Sequence, residues 1–427
     1  MRANSMPNIR HLRAVSAVAR LQSVNRAASE LFVTQPAVSQ AIAGVEDWCA
    51  RQLFVRHRGG MLPTPAGSKL IDRVNRAIGE LERGYWSARP DSLSADHFYQ
   101  ISSVQFVALA SLSKTRDWES SSAMLGVSST SLKRTIRTLE LTIGCMLLHR
   151  TSTGILFTEA GTRFAASIGL AIRELELGTD EIAIQSGARG GTLRIGSMPL
   201  ARAQLIPQAV MMTLRSYPDL EIIIADGAYD DLRQQLRSGE IDLMVGALRK
   251  QHREDEFDSE GLIELPLSIV ARSGHPLFRR GRVSMEDTVD YRWIVSRDGS
   301  PARRLFERMF EVRGMQQPAN ILEVGCQITS RNLLLNSDML ALLSAHQIEL
   351  ERVTGQLSVL DIELEETRRT IGVSTRKQWA PTEPQRTFLS ALKSASFSAA
   401  MPKDARVIGF NAQRRNGMPQ RFNTSNL

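Results

Sequence analysis

Polar side chains in the segment VTQPAVSQAIAGVE, at 33–46, are spaced so that they share one face of a helix. On that face, Gln35, Ser39 and Gln40 can donate and accept hydrogen bonds without much bulk. Amide and hydroxyl groups of this kind match the hydrogen-bonding edges of bases in the DNA major groove. The pattern therefore indicates contact with bases, although most amphipathic helices carry a polar face that meets only water.

A small supporting fold must position this helix. Val38, Ile42 and Val45 recur at helical spacing and predict a buried face opposite the polar one. Thr34 suits the cap of the helix, and Pro36 suits its first turn, where a missing N–H does no harm. The other elements predicted nearby are helices over about 9–20 and 24–31 and strands over 53–56 and 61–64, joined by a turn at Gly59 and Gly60. This order is that of a helix-turn-helix followed by a β-wing.

The segment NRAASELFVTQPAVSQAIAGVEDWCARQLFVR, followed by LPTPAG, resembles the DNA-binding domain of the LysR-type transcriptional regulators. That family has paired alanines, then S/T-Q-P/S-A-V-S, L-E, L-F-x-R and L-T-x-A-G. This chain departs from the pattern at Val45, where leucine is usual, and in WCARQ, which lacks the usual leucine-glycine. The resemblance assigns base and phosphate contacts to Thr34, Gln35, Pro36, Ser39 and Gln40, and DNA-backbone contacts to Arg56 and Arg58 of the wing.

A similar pattern, VSSTSLKRTIRTLE at 127–140, returns 94 residues downstream without a gap. Residues 12–84 align in this way with 106–178. Identical pairs include Leu31 and Leu125, Ile42 and Ile136, Glu46 and Glu140, Leu53 and Leu147, and Gly67 and Gly161. Such agreement predicts two copies of one domain.

The second copy keeps the scaffold but changes the outward face of its third helix. Ser121 and Ser122 replace the paired alanines, and Lys133, Arg134 and Arg137 make the face cationic. Because phosphate contacts position a protein without reading sequence, this copy is expected to bind DNA with less base content. The alternative is a structural or dimerisation module. The candidate DNA-binding residues of the second copy are Ser128, Ser129, Thr130, Lys133, Arg134, Arg137 and Arg150.

A helix with a heptad-like apolar seam follows each wing. The seams consist of Leu70, Val74, Ala77 and Leu81, and of Phe164, Ile168, Ala171 and Leu175. Spacings of 4, 3 and 4 predict a helix-pairing surface, and the resemblance implies antiparallel pairing with the twin helix of another chain. Because this chain has two such helices, our hypothesis is that they pair with each other, and pairing between chains is the alternative. Residues 85–104 are expected to form a loop.

Beyond GARGG at 187–191, which predicts a flexible joint, strands alternate with helices and indicate a parallel sheet with crossovers. The strands are expected at 192–197, 220–226, 243–248, 267–271, 292–296, 320–324, 340–343, 357–362 and 369–374, with a closing helix at 383–394. The segments LRIGS, YPDLEI, LRSGEIDLMVG and GHPL resemble the effector-binding domain of the same family. The resemblance implies a two-lobed fold like that of periplasmic binding proteins.

Ligands of such sheets bind where strands end at their carboxyl termini, beside helix N-termini. The candidate effector-binding residues are Ser197, Met198, Ala201, Gly246 and Ala247 in one lobe and Ser296, Gly299, Ser300, Thr329 and Ser330 in the other. Each Ser or Thr alone suits a plain helix cap, and only as a converging set do they indicate a cleft. The nearby residues Arg202, Arg297, Arg303 and Arg331 hint at an anionic effector such as a carboxylate.

Charge is unevenly distributed along the 427 residues, whose net charge is +8. Residues 1–190 carry 22 Lys and Arg against 16 Asp and Glu, whereas 191–397 carry 26 against 28. A basic N-terminal part favours a polyanionic partner. No apolar run is long enough to cross a bilayer and no signal peptide is recognisable, so a cytoplasmic location without membrane contact is expected.

These features predict a multidomain chain: two all-α winged helix-turn-helix domains with linker helices, then an α/β two-lobed effector domain like periplasmic binding proteins. The expected boundaries are 7–67 for the first DNA-binding domain, 68–104 for its linker helix and connector, 105–161 for the second domain, 162–191 for its linker helix and hinge, 192–397 for the effector domain and 398–427 for a basic disordered tail.

The expected function is sequence-specific binding to promoter DNA under control of a small-molecule effector, by a homo-oligomer with RNA polymerase as a candidate partner. The seven histidines and three cysteines form no ligand cluster, and no phosphate loop or nucleophile motif is present, so neither cofactor, metal nor enzyme activity is expected. The alternative is a DNA-binding protein whose second helix-turn-helix is only structural. In that alternative, the effector domain senses no ligand, or senses redox state through Cys326, although this cysteine offers no disulfide partner in its module.

Overall fold

The computed structural model describes residues 6–58, 60–88, 97–151, 154–185, 187, 190–249, 256–399 and 406–407. The chain divides into two compact units: Met1–Glu260 with Gly372–Ala395, and Gly261–Ile371 with Ser396–Leu427. Each unit has hydrophobic clusters of its own.

Three short helices, a two-stranded hairpin and a long helix open the first unit. They are α1 (Ile9–Leu21), α2 (Val24–Leu31), α3 (Gln35–Cys49), β1 (Phe54–His57), β2 (Gly60–Pro63) and α4 (Pro65–Ala88). The three short helices begin at Asn8, Ser23 and Thr34, whose side chains each accept a backbone N–H. Such caps contribute roughly 1 kcal/mol each and fix where each helix starts. The order confirms the winged helix-turn-helix expected for the start of the chain.

A second series of elements repeats the first in order and in length. It consists of α5 (Ser103–Thr115), α6 (Trp118–Leu125), α7 (Ser129–Ile143), β3 (Leu148–Thr151), β4 (Gly154–Phe157) and α8 (Glu159–Gln185). The three short helices have 13, 8 and 15 residues in both series, and all four strands have 4.

One carboxylate in each series holds the third helix against the hairpin. Glu46 Oε1 accepts a hydrogen bond from the backbone N–H of Leu53 at 2.7 Å. Glu140 Oε1 accepts the corresponding bond from Leu147 at 2.9 Å. The glutamate that the two sequence copies share therefore makes the same contact in both.

A glycine in each series allows the long helix to touch the hairpin. A Cβ atom added at Gly67 would lie 2.0 Å from the carbonyl oxygen of Leu53, and one added at Gly161 would lie 2.0 Å from that of Leu147. No side chain fits at that distance. The shared A-G of the two copies thus has a steric cause.

The long helices α4 and α8 pack against each other within the chain. They are antiparallel, because Gly84 near the end of α4 meets Ser167 near the start of α8, while Arg73 near the start of α4 meets Glu181 near the end of α8. The predicted seams are buried at this interface: Leu70, Val74, Ala77 and Leu81, and Phe164, Ile168, Ala171 and Leu175. Pairing inside one chain is thus the arrangement that the structure contains.

The first unit continues into a parallel α/β layer. Its elements are β5 (Thr192–Ser197), α9 (Pro199–Arg202), α10 (Leu205–Ser216), β6 (Glu221–Asp226), α11 (Tyr229–Arg237) and β7 (Leu243–Ala247), with β5 between β6 and β7. Arg173 of α8 donates two hydrogen bonds to Asp242, at 2.8 and 2.7 Å, and both side chains are buried. This ion pair anchors the second linker helix to the α/β layer.

The rest of the chain begins with β8 (Phe257–Leu265) and continues mainly in the second unit. The later elements are β9 (Ser268–Arg272), β10 (Trp293–Val295), α12 (Pro301–Glu311), β11 (Ile321–Glu323), α13 (Gln327–Leu335), β12 (Leu340–Leu343), α14 (Glu349–Val353), β13 (Leu357–Val359), β14 (Arg369–Arg376), α15 (Glu383–Ala399) and β15 (Arg406–Val407). One sheet has the order β11-β10-β12-β9-β13, and the other has the order β15-β8-β14-β7-β5-β6. Strands β8 and β14 carry the chain between the two units.

Three expectations need correction. The sheets are mixed rather than parallel, because β9 runs antiparallel to β12 and β13. Strand β8 was not predicted, since its sequence FDSEGLIEL interrupts the apolar run with charges. The expected loop at 85–104 is in part helical, because α4 continues to Ala88.

The predicted tail at 398–427 lies mostly outside the described residues. Its first two residues end α15, and Arg406 and Val407 form β15, which pairs antiparallel with β8. For the rest of the tail, the expectation of disorder concerns residues outside the described part of the chain.

Candidate nucleic-acid interface and effector-binding residues

The outward face of α3 presents the polar residues that the sequence singles out. Thr34, Gln35, Pro36 and Gln40 are exposed, and Ser39 is half-buried. The side-chain amide of Gln35 donates to Ser39 Oγ at 3.2 Å, one turn further along the helix. On the opposite face the buried residues are Val38, Ala41, Ile42 and Val45. The helix thus offers hydrogen-bonding groups on a fixed support.

A groove of about 600 Å³ runs beside the N-terminus of α3. Gln35 lines it together with Arg26 at the start of α2 and with Arg56 and Arg58 of the hairpin. No acidic residue is among the lining residues that the structure describes. The sequence prediction missed Arg26, although its place in the first turn of the second helix could have identified it. Three cations around an amide suit a DNA backbone that carries one negative charge per phosphate.

The corresponding helix α7 presents a cationic surface. Ser128, which caps the helix, and Thr130 are exposed, as are Lys133, Arg134 and Arg137. Lys133 Nζ lies 5.7 Å from the centre of the Trp118 ring. Within the described residues, no acidic side chain forms an ion pair with these three cations.

Two other candidate DNA-binding residues of the second copy are not seen on this exposed surface. The hydroxyl oxygen of Ser129 is buried, so the prediction that it contacts DNA is not supported by its position. The backbone of Arg150 belongs to β3, in the hairpin, and its side chain lies outside the description.

Four predicted effector-binding residues meet at the carboxyl ends of β5 and β7, which pair in parallel. Ser197 ends β5 and Met198 follows it, and Gly246 and Ala247 end β7. Ser197 is 1% exposed and its Oγ has no hydrogen-bond partner among the described residues. Such an unpaired buried hydroxyl is costly unless a ligand or water satisfies it. Ala201 is fully buried in α9 and its N–H donates to the Met198 carbonyl, and ligand contact at this residue stays a prediction.

The predicted residues of the second unit follow β10 or begin helices. Ser296 and Gly299 follow β10, and Ser300 caps α12 by accepting the N–H of Arg303 at 3.2 Å. Thr329 is exposed in α13, whereas Ser330 is buried and donates its hydroxyl hydrogen to the Cys326 carbonyl at 3.2 Å. For Ser300 and Ser330 the simpler interpretation, a hydrogen bond within the helix, therefore accounts for the hydroxyl.

Three of the four arginines that suggested an anionic effector have acidic partners. Arg202 lies 3.7 Å from Asp226, Arg303 lies 2.8 Å from Glu307, and Arg331 pairs with Glu351. Among the described residues, only Arg297 of the four pairs with no acidic side chain. The hint of a carboxylate effector is correspondingly reduced.

The described part of the chain gives little support for metal binding or for a membrane-spanning helix. It contains no group of His, Cys, Asp and Glu able to hold a metal ion, and no helix there is long and apolar enough to span a membrane. Hydrogen bonds from the backbone N–H and hydroxyl of Thr329 lower the pKa of the exposed Cys326 thiol.

The first helices, their hairpin and the arginine-lined groove define a winged helix-turn-helix DNA-binding protein. Residues 9–68 match the model of the bacterial regulatory helix-turn-helix proteins of the lysR family, and residues 186–396 match the LysR substrate binding domain. The chain belongs to the lysR family of transcriptional regulators. It is therefore a DNA-binding regulator controlled by a small-molecule effector, and not an enzyme.

Characterised relatives agree with this assignment. The chain is 32% identical over 371 residues to the regulator GalR of Pseudomonas putida, covering 87% of this chain and 93% of that protein. It is 28% identical over 287 residues to the dual regulator OxyR of Escherichia coli, covering 67% and 92%. It is 25% identical over 273 residues to the regulator PcaQ of Agrobacterium fabrum, covering 64% and 88%.

Solved structures share the fold. The chain superimposes on full-length OxyR from Pseudomonas aeruginosa with a TM-score of 0.51 at 18% identity, covering 68% of this chain and 93% of that chain. The family helix-turn-helix model matches only the first series of elements, and the second series lies between the two matched regions.

Proposed function

We propose that this regulator binds DNA with two unlike heads, each a winged helix-turn-helix. The first head is α1 to β2 and the second head is α5 to β4. Equal helix lengths support the duplication, as do the matched contacts of Glu46 with Leu53 and of Glu140 with Leu147. The gapless 94-residue repeat in the sequence supports it independently.

The two heads contribute different contacts to DNA recognition. The first reads base edges with the amide and hydroxyl groups of α3, chiefly Gln35 and Ser39, while Arg56 and Arg58 hold the phosphate backbone. The second binds mainly phosphates through Lys133, Arg134 and Arg137. Because phosphate contacts carry no base identity, the second head sets position and affinity more than sequence.

One chain supplies the head pair that usually comes from two chains. The observation that carries this proposal is the antiparallel packing of α4 on α8, with Arg73 bonded to Glu174 at 2.8 Å. The preferred DNA target is consequently two unlike half-sites rather than a palindrome. Homo-oligomers of this chain use surfaces other than these helices.

The effector binds where β5 and β7 end, with Ser197 as its central contact beside Met198, Gly246 and Ala247. The unpaired buried hydroxyl of Ser197 supports this site. Ser296, Gly299 and Thr329 are further candidate contacts in the second unit, and a small carboxylate remains the first effector class to screen.

Strand β7 links this site to the heads. Asp242, one residue before β7, holds Arg173 of α8, and Gly246 lies near the other end of the same strand. An effector that prefers one arrangement of the strand ends shifts the position of α8 by linkage. The regulator works in the cytoplasm, where promoter DNA and RNA polymerase are accessible.

Footprinting combined with light scattering tests the proposal. On its own upstream region, a single chain should protect two adjacent, unlike half-sites. The mass from light scattering should correspond to one chain for each pair of half-sites rather than two. Protection of two symmetric first-head half-sites, or equal salt-driven binding to all duplexes, would contradict it. A thermal-shift screen of small carboxylates and aromatics, with Ser197→Ala as control, tests the effector site separately.

A further inference from the structure

The interface between the linker helices repeats itself about a local two-fold axis. A Cβ added at Gly84 of α4 would lie 2.5 Å from Ser167 Cβ of α8, and one added at Gly178 of α8 would lie 3.1 Å from Arg73 Cβ of α4. Under the 94-residue repeat, Gly178 is the counterpart of Gly84 and Ser167 that of Arg73. Contacts that exchange in this way are the mark of an isologous interface, here inside one chain.

A buried ion cluster breaks this symmetry. Arg73, with its side chain 5% exposed, lies 2.8 Å from Glu174 and donates two hydrogen bonds to Glu181, at 3.0 and 2.8 Å. Both carboxylates are also largely buried, at 11% and 18% exposure. All three partners therefore depend on one another for charge compensation.

The other half of the interface has no such cluster. Ser167 is the counterpart of the arginine, and the counterparts of its two acidic partners are Glu80 and Ser87. Glu80 pairs instead with Arg83 of its own helix, at 2.5 Å. The single arginine thus faces two carboxylates on one side of the axis, and a serine takes its place on the other.

We propose that this asymmetric cluster selects the partner of each linker helix: α4 pairs with an α8 helix rather than with a second α4, and α8 pairs with α4 rather than with a second α8. The inference rests on the paired heads proposed above and deepens it by naming what enforces the pairing. If α8 paired with α8 of another copy, Glu174 and Glu181 would both face a serine. Four buried carboxylates would then lack a cation, and the loss of one partner of a buried pair strongly disfavours such a pairing.

Pairing of α4 with α4 of a second copy is also disfavoured. Arg73 would face one carboxylate, Glu80, instead of two, and α8 would be left without a partner. Its seam residues Phe164, Ile168 and Leu175, which are now buried, would meet water. Only the pairing of α4 with α8 satisfies both the charges and the seams, and in this structure both helices belong to one chain.

A disulfide reporter distinguishes pairing within a chain from pairing between chains. Gly84→Cys and Ser167→Cys would be introduced into the full chain after the three native cysteines are replaced by serine. The helices must separate by about 1 Å to reach ordinary Cβ–Cβ distances of a disulfide. After oxidation, non-reducing denaturing electrophoresis should show a cross-linked single chain of 47.4 kDa. Non-covalent contacts between effector domains of different chains do not affect this readout, because the gel is denaturing.

Charge reversal then tests the cluster itself. Arg73→Glu should slow formation of the intrachain bond about tenfold or more, because a buried pair becomes a repulsion. Combining Arg73→Glu with Glu174→Arg and Glu181→Arg should restore it. As the matched control, Arg163→Glu in α8 removes an exposed pair with Glu159 and should change nothing.

The outcomes separate this inference from the proposed function. An unchanged intrachain bond in Arg73→Glu, or no recovery in the triple reversal, overturns the role of the cluster while leaving the paired heads intact. A reporter that cross-links two chains overturns pairing within the chain as well. Fluorescence anisotropy of the reduced reporter on upstream DNA measures the proposed DNA binding independently of both results.

Discussion

Gln35 is held in place before DNA arrives. Its amide hydrogen-bonds to Ser39 one turn along the exposed face of α3, so less side-chain freedom is lost on binding. An amide that reads a base edge discriminates against the wrong base, whereas an arginine on a phosphate does not. The two kinds of side chain should therefore respond differently to substitution.

Gln35→Ala should weaken binding to the preferred site by about 1–3 kcal/mol and leave binding to unrelated DNA nearly unchanged. Arg56→Ala should weaken binding to all sequences alike and reduce the slope of log K against log salt by about 1. Anisotropy titrations on specific and unrelated duplexes at several salt concentrations measure both. A Gln35→Ala protein that keeps its preference would remove this amide from base recognition.

His275 predicts acid sensitivity in the second unit. Burial lowers the pKa of its imidazole, whose Nδ1 accepts the N–H of Leu277 at 3.2 Å while Nε2 lies 3.1 Å from the Asp338 carbonyl. The unfolded chain then binds the proton more readily, so stability is present at higher pH and falls as pH drops below about 6.5.

The measurement is the melting temperature between pH 8 and pH 5.5. His275→Asn keeps an acceptor for Leu277 but cannot titrate, so it should be less stable at pH 8 and show a flatter decline. His11 and His346, whose pKa values burial also lowers, contribute to the remaining slope. An equal decline in the variant would exclude His275 as the cause.

At the scale of elements, the two series depend on the same close approach of a long helix to a hairpin. Gly67→Ala and Gly161→Ala each place a methyl group on a backbone carbonyl and should each destabilise the protein by about 1–3 kcal/mol. Gly79→Ala is the control, because its nearest neighbour is a flexible Arg83 atom at 3.6 Å and alanine favours a helix by about 1 kcal/mol. Urea unfolding measures all three, and a harmless Gly161→Ala would mean that the second series does not need this approach.

The elements also show how far sequence reasoning reaches. Caps and apolar spacing predicted α1 to α3, the hairpin and both seams, because these signals are local. The polar strand β8 and the antiparallel direction of β9 escaped prediction, because both depend on distant partners. At the sites, the burial of Ala201 and of the Ser129 hydroxyl oxygen could not be predicted, since a position at the end of a strand or the start of a helix does not reveal whether packing encloses the side chain.

At the scale of the whole molecule, the proposed phosphate contacts of α7 predict how strongly salt weakens DNA binding. Replacing Lys133, Arg134 and Arg137 together by alanine should lower the salt slope by up to about 3, at roughly 0.9 for each phosphate that the protein no longer neutralises. Sequence preference should change little, because base reading stays with the first head. Loss of preference with an unchanged slope would assign base contacts to α7 instead.

The antiparallel helices α4 and α8 have a consequence for how the regulator meets a promoter. In the proposed two-head arrangement, heads joined by one polypeptide cannot separate on dilution, so each molecule arrives complete even when only a few copies are present in a cell. Because the heads differ, the molecule also has a defined direction along the DNA. A target that fits it in one direction is a mismatch when inverted, and reversing the operator should therefore abolish the response that a palindrome would retain.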